Sequence, residues 1–266
     1  MHAARCDRAH LYAHPERELA EVEWIHYGRY LHERLQGKPT QYITGHQEFW
    51  GLDFLVNPSV LIPRPETELL VETSLALARR HFASGAELNV ADVGTGSGCI
   101  AVVLARELPH ARIYALDQSL EALETARRNA ARLGGGQRIS FLLSDLLEVS
   151  SGEALPPLQM VVSNPPYVSE QEREKLMREV RDFEPPQALF AGESGSDVYA
   201  CLIPQASRAL CAGGTIALEL GYDAQAKVGN LLSAEEWENI EWRRDLAGIV
   251  RVVTARRASA KGKAAP

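Results

Sequence analysis

The chain has 266 residues, of which 45% are hydrophobic and 24% are charged, and its formal net charge is −7 at pH 7. These proportions are typical of a globular protein, and the length suits one large domain with a small additional one. The negative balance argues against a basic surface that binds nucleic acid. Because no apolar run approaches the ~18–20 residues that span a bilayer and no export signal is visible, we expect a cytoplasmic protein without membrane contact.

The cysteines do not indicate a metal site or a disulfide framework. Cys6, Cys99, Cys201 and Cys211 form no Cys-x-x-Cys motif and have no clustered histidine partners. We therefore expect neither a bound metal nor structural disulfides.

The first part of the chain predicts a short helical domain. Residues 1–14 show no clear period, and we expect them to be frayed. Residues 16–36 place apolar side chains along one face of a helix, which Gly37 and Pro39 end. The prediction is a reduced helical domain at residues 1–40.

A β-hairpin linker is predicted next, at residues 41–64. Residues 41–45 and 48–56 are rich in aromatic and branched side chains, which predicts short strands separated by Gly45. A helix follows over residues 65–82, where a proline occupies the first helical position.

From residue 88 the chain alternates strands and helices, which is typical of a parallel sheet covered by helices on both faces. The predicted strands are short, nearly continuous apolar runs, and they lie at residues 88–93, 113–117, 139–143, 160–163 and 215–220. An antiparallel pair at 237–243 and 249–256 closes the sheet. The catalytic domain is placed at 65–256, followed by a disordered basic tail at 257–266.

Three details of the helices are predicted. Ser119 is expected to cap one helix, and Ser169 with Glu172 forms a capping-box pattern at the start of another. Pro204 is expected to kink or split the helix around residues 198–210.

A glycine-rich loop follows the strand at 88–93 and precedes a helix. Its residues are Gly94, Thr95, Gly96, Ser97 and Gly98. Glycines let a ligand approach the backbone, and the helix N-terminus offers free N–H groups. Asp117, at the end of the next strand, can accept hydrogen bonds from ribose hydroxyls. These features suit any adenosine cofactor, while a structural turn without a ligand is the alternative.

Two residues favour S-adenosylmethionine over NAD as the adenosine cofactor. Cys99 occupies the position where the dinucleotide motif Gly-x-Gly-x-x-Gly requires glycine. Asp92 would repel a pyrophosphate but could attract a cationic α-amino group, which S-adenosylmethionine carries.

At the end of the third strand, Asp145 can hold the adenine amine and Leu146 can contact the adenine ring.

A second loop, Asn164-Pro165-Pro166-Tyr167, follows the fourth strand. Each proline lacks an N–H, so the loop presents carbonyl acceptors without competing donors. The Asn164 side chain adds an acceptor and Tyr167 a flat face, which together suit a planar –NH2 group. An ordinary turn is the alternative. Because Asn164 lies at the switch point of the sheet, the loop is expected to meet the cofactor methyl group.

With these motifs in place, the chain resembles the protein-(glutamine-N(5)) methyltransferases that modify peptide chain release factors, the PrmC (formerly HemK) family. The resemblance covers about residues 11–256, with motifs at 49–51, 61–68, 92–98, 164–167, 183–185, 188–189, 218–221 and 245–251. The Asn-Pro-Pro-Tyr motif alone also fits adenine-specific DNA methyltransferases, whereas Ile-Pro-Arg-Pro-Glu-Thr-Glu at 62–68 is far more specific. A ribosomal-protein glutamine methyltransferase is a further alternative.

The resemblance implies a fold, a reaction and a partner. The fold would be a class I S-adenosylmethionine-dependent methyltransferase, with a Rossmann-like, mostly parallel seven-stranded sheet and a short helical N-terminal domain. The enzyme would act as a monomer on a glutamine of a release factor, without direct nucleic-acid binding. Here about 40 residues precede the shared 41–43 block, fewer than is usual in the family. Either the docking domain is reduced, or the chain starts downstream of the true start.

The resemblance also implies roles for particular residues. The cofactor site would comprise Gly94, Thr95, Gly96, Ser97, Gly98, Asp117, Leu146 and Asn164. The glutamine site would comprise Asn164, Pro165, Pro166 and Tyr167, of which Asn164, Pro165 and Tyr167 would be catalytic. Many members have a larger residue at the Leu146 position, and Arg64 and Glu66 are expected to shape the wall of the site.

Overall fold

In a computed structural model of the chain, residues 1–82 and 87–259 are described. Within these residues the helices are α1 Arg8–Ala13, α2 Glu21–Leu35, α3 Thr40–Thr44, α4 Thr67–His81, α5 Cys99–Glu107, α6 Leu120–Leu133, α7 Arg178–Phe183, α8 Pro186–Leu189, α9 Asp197–Ala209 and α10 Ala224–Leu231, with 3₁₀ helices at Gly136–Arg138 and Glu170–Lys175. The strands are β1 His46–Phe49, β2 Leu52–Leu55, β3 Leu88–Val93, β4 Ala111–Asp117, β5 Ile139–Asp145, β6 Glu148–Val149, β7 Leu158–Ser163, β8 Leu210–Glu219, β9 Trp237–Arg244 and β10 Val250–Arg257.

The main sheet has the strand order β6-β5-β4-β3-β7-β8-β10-β9. Strands β5, β4, β3, β7 and β8 run parallel, and β10 pairs antiparallel with both β8 and β9. The predicted Rossmann-like, mostly parallel fold is confirmed. The seven strands predicted for this sheet are all present; among its described strands, only β6, a two-residue strand antiparallel to β5, was not predicted.

The apolar core lies on both faces of this sheet, which explains the continuous apolar runs of its strands. Neighbouring residues of β7 point to opposite faces. Val162 packs in the cluster that includes Leu70 of α4 and Val102 of α5. Val161 packs in the cluster on the other face, with Leu202 of α9.

The register of three neighbouring strands determines where the loops meet. Val93 of β3 pairs with Ser163 of β7, and Ser163 pairs in turn with Leu218 of β8. Because these strands are parallel, the residues that follow them emerge side by side at the same edge of the sheet. Gly94, Asn164 and Glu219 are therefore neighbours there, although they are distant in the sequence.

The predicted strand at 41–45 is wrong, because these residues form helix α3. Gly45, at φ 80°, ends the helix in the left-handed conformation that glycine adopts readily. The Tyr42 hydroxyl donates to the Val60 carbonyl at 2.6 Å from a buried position, so tertiary contact outweighs strand propensity. The predicted strand at 48–56 instead contains the end of β1, a turn with Trp50 and Gly51 at positive φ, and all of β2.

The N-terminal and C-terminal boundaries also differ from the predictions. Residues 8–13, expected to be frayed, form α1, whose first turn Asp7 caps by accepting from His10 N. Helix α2 begins at Glu21 rather than near residue 16. Strand β10 includes Arg257, so the predicted tail begins too early; its residues 260–266 lie outside the described residues.

The predicted details of the helices have mixed outcomes. The Ser119 cap is confirmed, since its Oγ accepts from Ala122 N at 3.1 Å. The capping box is wrong: Ser169 accepts from Glu172 N through its backbone carbonyl, and a 3₁₀ helix follows. Pro204 does not split its helix, because α9 is continuous over Asp197–Ala209.

Among the described helices, none combines the length and apolar character needed to cross a membrane. No group of three or more histidine, cysteine or acidic side chains is arranged to hold a metal ion within the described part of the chain.

Candidate active site

A cavity of about 510 Å³ opens at the carboxyl ends of the parallel strands. Of the predicted site residues, Gly94, Thr95, Gly96, Ser97, Asp117, Leu146, Asn164 and Pro166 line it. Gly98, Pro165 and Tyr167 are not part of its lining. The cavity thus brings together most of the predicted cofactor residues and two residues of the predicted glutamine site.

The glycine loop is held by the neighbouring strand β4. The N–H groups of Gly94 and Thr95 both donate to the Leu116 carbonyl, at 2.8 and 2.9 Å. Gly94 has φ 74°, and a Cβ built on it would meet no other atom of the chain within 4 Å. The space beside Gly94 is therefore open to the cavity, as a backbone that cradles a ligand requires.

Gly98 contributes through packing rather than through the cavity wall. It caps α5 at φ 80°, and a Cβ there would lie 3.0 Å from the Ala126 Cβ. This glycine lets the start of α5 approach α6 closely, which positions the end of the loop.

Asp117 is oriented by two backbone hydrogen bonds. Its Oδ2 accepts from Gly96 N at 2.9 Å and its Oδ1 from Ser119 N at 3.0 Å. Burial raises the pKa of Asp117, and these hydrogen bonds act in the opposite direction. Each carboxylate oxygen keeps a lone pair, so Asp117 can still accept from a diol in the cavity.

Asp92 lies under the glycine loop and is fully buried. Its Oδ2 accepts from the Thr95 hydroxyl at 2.7 Å and from Ala101 N at 3.1 Å, while Oδ1 has no partner among the described residues. Burial raises the pKa of Asp92 to about 7. With no exposed surface, this side chain can attract an α-amino group only through its charge and not by direct contact.

Leu146 forms part of the opposite wall in a constrained backbone conformation. Its φ is 53°, in the left-handed region that is unfavourable for a leucine. The next residue, Leu147, donates its N–H to Oε1 of Gln205 in α9 at 2.9 Å, which holds the turn. Gln205 and Cys201 of α9 also line the cavity, and neither was predicted from the sequence.

The Asn164 side chain is anchored at the start of α4. Its Nδ2 donates to Thr67 Oγ1 at 3.1 Å, so this amide is anchored through its nitrogen. The amide oxygen is thereby left as an acceptor toward the cavity that Asn164 lines. At the base of the loop, Ser163 Oγ donates to the Val93 carbonyl at 2.7 Å and ties β7 to β3.

Tyr167 packs against the turn that follows β8. A Cβ on Gly221 would lie 2.9 Å from Cδ2 of its ring. Burial raises the pKa of Tyr167 to about 12, so the phenol is neutral near pH 7. The next residue, Val168, donates its N–H to Leu189 and accepts from Ala191 N, which joins the loop to the segment after α8.

An ion pair joins two further walls of the cavity. Arg64 lies 2.5 Å from Oε1 of Glu184, whose Oε2 also accepts from Ile62 N at 3.2 Å. The Glu184 side chain is almost fully buried and burial raises its pKa, an effect that Arg64 partly offsets. Arg64 lines the cavity as expected, whereas Glu66 is exposed at the start of α4 and is not in the lining.

The fold and these loops define a methyltransferase. Residues 67–181 match the family model described as "Methyltransferase small domain", and residues 1–45 match "PrmC N-terminal domain". A methyltransferase structure from Pyrococcus furiosus has the same fold, with a TM-score of 0.54 at 18% identity over 88% of this chain and 98% of that one.

More specific relatives define the family. The release factor glutamine methyltransferase of Koribacter versatilis is 48% identical over 97% of this chain and 88% of the relative. That of Nitratidesulfovibrio vulgaris is 43% identical over 96% and 85%, respectively. The chain belongs to the release factor glutamine methyltransferase family, so the family resemblance predicted from the sequence is confirmed.

Proposed function

We propose that this enzyme transfers a methyl group from S-adenosylmethionine to the side-chain amide nitrogen of a glutamine in a peptide chain release factor. The observation that carries the proposal is the junction of β3 and β7: the glycine loop and Asn164 line one cavity, with the Asn164 amide anchored through its nitrogen. The names of the relatives supply the class of substrate.

The residues of the cavity fit the proposed cofactor. Gly94 leaves open space beside its backbone, and Asp117 keeps acceptor capacity for the ribose hydroxyls. Leu146 would contact adenine, and residues 94–97 would hold the amino-acid part, while Gly98 would position the end of this loop through its packing on α6. When bound, S-adenosylmethionine supplies an electrophilic methyl group on a sulfonium. The whole set of cofactor residues predicted from the sequence is retained in this proposal.

The loop at residues 164–167 would make the glutamine amide reactive. A carboxamide nitrogen is a poor nucleophile because its lone pair is delocalised into the carbonyl. In the proposed complex, the Asn164 side-chain oxygen and the Pro165 carbonyl accept the two amide hydrogens and hold the nitrogen in a near-attack orientation.

The same two acceptors would favour the transition state. Their interaction with the amide hydrogens strengthens as the nitrogen becomes positive during methyl transfer. Tyr167 would cover the face of the amide, and Pro166 would form the adjoining wall. The N-methylated amide then loses its extra proton to a carbonyl or to water, so no strong base is required.

The N-terminal residues would dock the release factor. Helix α2 has no buried residue, and Val22, Trp24, Ile25, Leu31 and Leu35 expose their side chains. We propose that residues 1–40 use these exposed apolar side chains, with residues 41–64 as linker and 65–256 as catalytic domain. The monomeric state, the absence of nucleic-acid binding and the cytoplasmic location remain predictions.

Mass spectrometry of a release factor after incubation with the enzyme and S-adenosylmethionine tests the function. We expect one added methyl group on a glutamine, and its loss with Asn164→Ala while binding of S-adenosylhomocysteine is largely kept. An unmodified release factor with the wild-type enzyme, or full activity of Asn164→Ala, would contradict the proposal. A methyl group found only on a ribosomal protein or on DNA adenine would reassign the substrate.

A further inference from the structure

A buried carboxylate stands beside the catalytic loop without a role in the mechanism above. Glu219, the last residue of β8, is 1% exposed, and its Oε2 has no hydrogen-bond partner among the described residues. The pairing of Ser163 with Leu218 puts Glu219 next to Asn164 at the edge of the sheet. A buried, incompletely paired carboxylate is costly, so its presence there needs a physical reason.

Thr67 connects this carboxylate to the catalytic amide. Thr67 is 2% exposed, at the first position of α4, and its Oγ1 accepts from Asn164 Nδ2 at 3.1 Å. Its hydroxyl hydrogen is still available, and Thr67 is near enough to the Glu219 carboxylate to lower its pKa. The Asn164–Thr67 hydrogen bond and the strand register thus place the three side chains next to one another, in the order Glu219, Thr67, Asn164.

The direction in which the Thr67 hydroxyl donates its hydrogen decides which atom Asn164 offers to the substrate. An ionised carboxylate only accepts, so a Thr67 hydroxyl turned toward it donates its hydrogen there and leaves lone pairs facing Asn164. Asn164 must then turn its NH2 group toward Thr67 and its oxygen away. If the hydroxyl hydrogen pointed at Asn164 instead, the flipped amide would present its NH2 group to the NH2 group of a glutamine, donor against donor.

We propose that Glu219 and Thr67 are positioning residues that hold the Asn164 amide in the acceptor orientation needed for an incoming NH2 group. This inference rests on the proposed function. Burial raises the pKa of Glu219 to about 7, an effect that the nearby Thr67 hydroxyl and Arg251 partly offset. The carboxylate is therefore ionised at pH 8, where the experiments are best done.

Two substitutions interrupt the series of side chains Glu219, Thr67 and Asn164 in different ways. Glu219→Gln keeps the shape of the side chain but can donate to Thr67, and Thr67→Val removes the hydroxyl. We expect kcat for release factor methylation to fall about 10- to 100-fold in each. The dissociation constant for S-adenosylhomocysteine should stay within about twofold, because the cofactor loop is unchanged. Thr67→Ser keeps a hydroxyl and should retain most of the activity.

Thr73→Val is the matched control, because it removes a buried hydroxyl from the same helix, α4, away from Asn164. Its kcat should equal that of the wild type. Melting temperatures of all variants identify any that fail to fold. Wild-type kcat in Glu219→Gln, or equal losses in Thr67→Ser and Thr67→Val, would overturn the proposal.

A second measurement does not depend on the substrate. The NMR signals of the Asn164 side-chain NH2, assigned by their absence in Asn164→Asp, should exchange slowly with solvent in the wild type and in Thr67→Ser. Exchange should be faster in Glu219→Gln and Thr67→Val. If the wild type does not methylate a release factor, the proposed function fails, and the exchange rates alone decide this inference. Equal exchange in all four proteins would refute it.

Discussion

The contact between Gly221 and the Tyr167 ring allows a test of the catalytic loop that leaves the loop sequence intact. In Gly221→Ala the new Cβ would lie 2.9 Å from Cδ2 and 3.2 Å from Cγ of the ring. Favourable carbon contacts begin near ~3.5 Å, so the ring must move by about 0.6 Å. Gly221 does not have a positive φ, so alanine brings the clash without backbone strain.

Two measurable effects should follow from this displacement. Overpacking of a well-packed site costs about 1–3 kcal/mol, and at ~2–4 °C per kcal/mol the melting temperature should fall by several degrees. Since a ~1 Å misplacement can cost ~100-fold in rate, we expect kcat for release factor methylation to fall about 10-fold. Binding of S-adenosylhomocysteine, measured by calorimetry, should be nearly unchanged because Tyr167 is not in the cavity lining.

Gly229→Ala is the control, since its Cβ would meet Trp242 at an ordinary 3.6 Å. It should retain wild-type kcat. A double-mutant cycle with Tyr167→Ala separates the clash from other effects. In the Tyr167→Ala background the ring is gone, so Gly221→Ala should no longer lower the melting temperature. Equal destabilisation in both backgrounds, or an unchanged kcat in the single variant, would refute the reasoning.

Three further predictions concern the cavity walls. Asp117→Ala should weaken S-adenosylhomocysteine binding by about 10- to 100-fold, because that is the typical contribution of hydrogen bonds to a charged group. Calorimetry measures this affinity, and an unchanged value would show that Asp117 does not bind the ribose. Arg64→Ala leaves Glu184 buried without its charge partner and should lower the free energy of unfolding by about 3 kcal/mol at pH 8 in urea titrations. Because burial raises the folded-state pKa of Glu184 above its unfolded value, the folded state binds more protons and stability falls as pH rises. The loss in Arg64→Ala should therefore be smaller at pH 5 than at pH 8, and a larger loss at pH 5 would contradict this sign.

The catalytic domain could be predicted from the sequence because local pattern and tertiary environment agree there. Strands such as β3 and β7 are buried on both faces, and four of the six residues in each are apolar. Where the two conflict, the prediction failed. Residues 41–45 have the composition of a strand, but the buried Tyr42 and the left-handed Gly45 stabilise a helix instead.

Thr67 and Glu219 could not be identified from the sequence for a different reason. Each belongs to a motif with a simpler explanation: Thr67 follows the proline at the start of a helix, and Glu219 ends an apolar strand. The relation of Glu219 to Asn164 arises from the order and register of β7 and β8, which are joined by a long connection, and Thr67 reaches Asn164 from the start of α4. Periodicity along the chain contains no information on that register.

A preference for glutamine would be encoded outside the loop at residues 164–167. In the proposed mechanism this loop recognises only a planar NH2 group, and adenine carries one as well. The walls that could exclude a base lie outside this loop, in the segment around Arg64 and in the segment after Glu184 that joins Val168 through residues 189 and 191. The ion pair between Arg64 and Glu184 fixes the two segments relative to each other. A substitution that breaks this pair should therefore change the acceptance of different glutamine peptides more than it changes cofactor affinity.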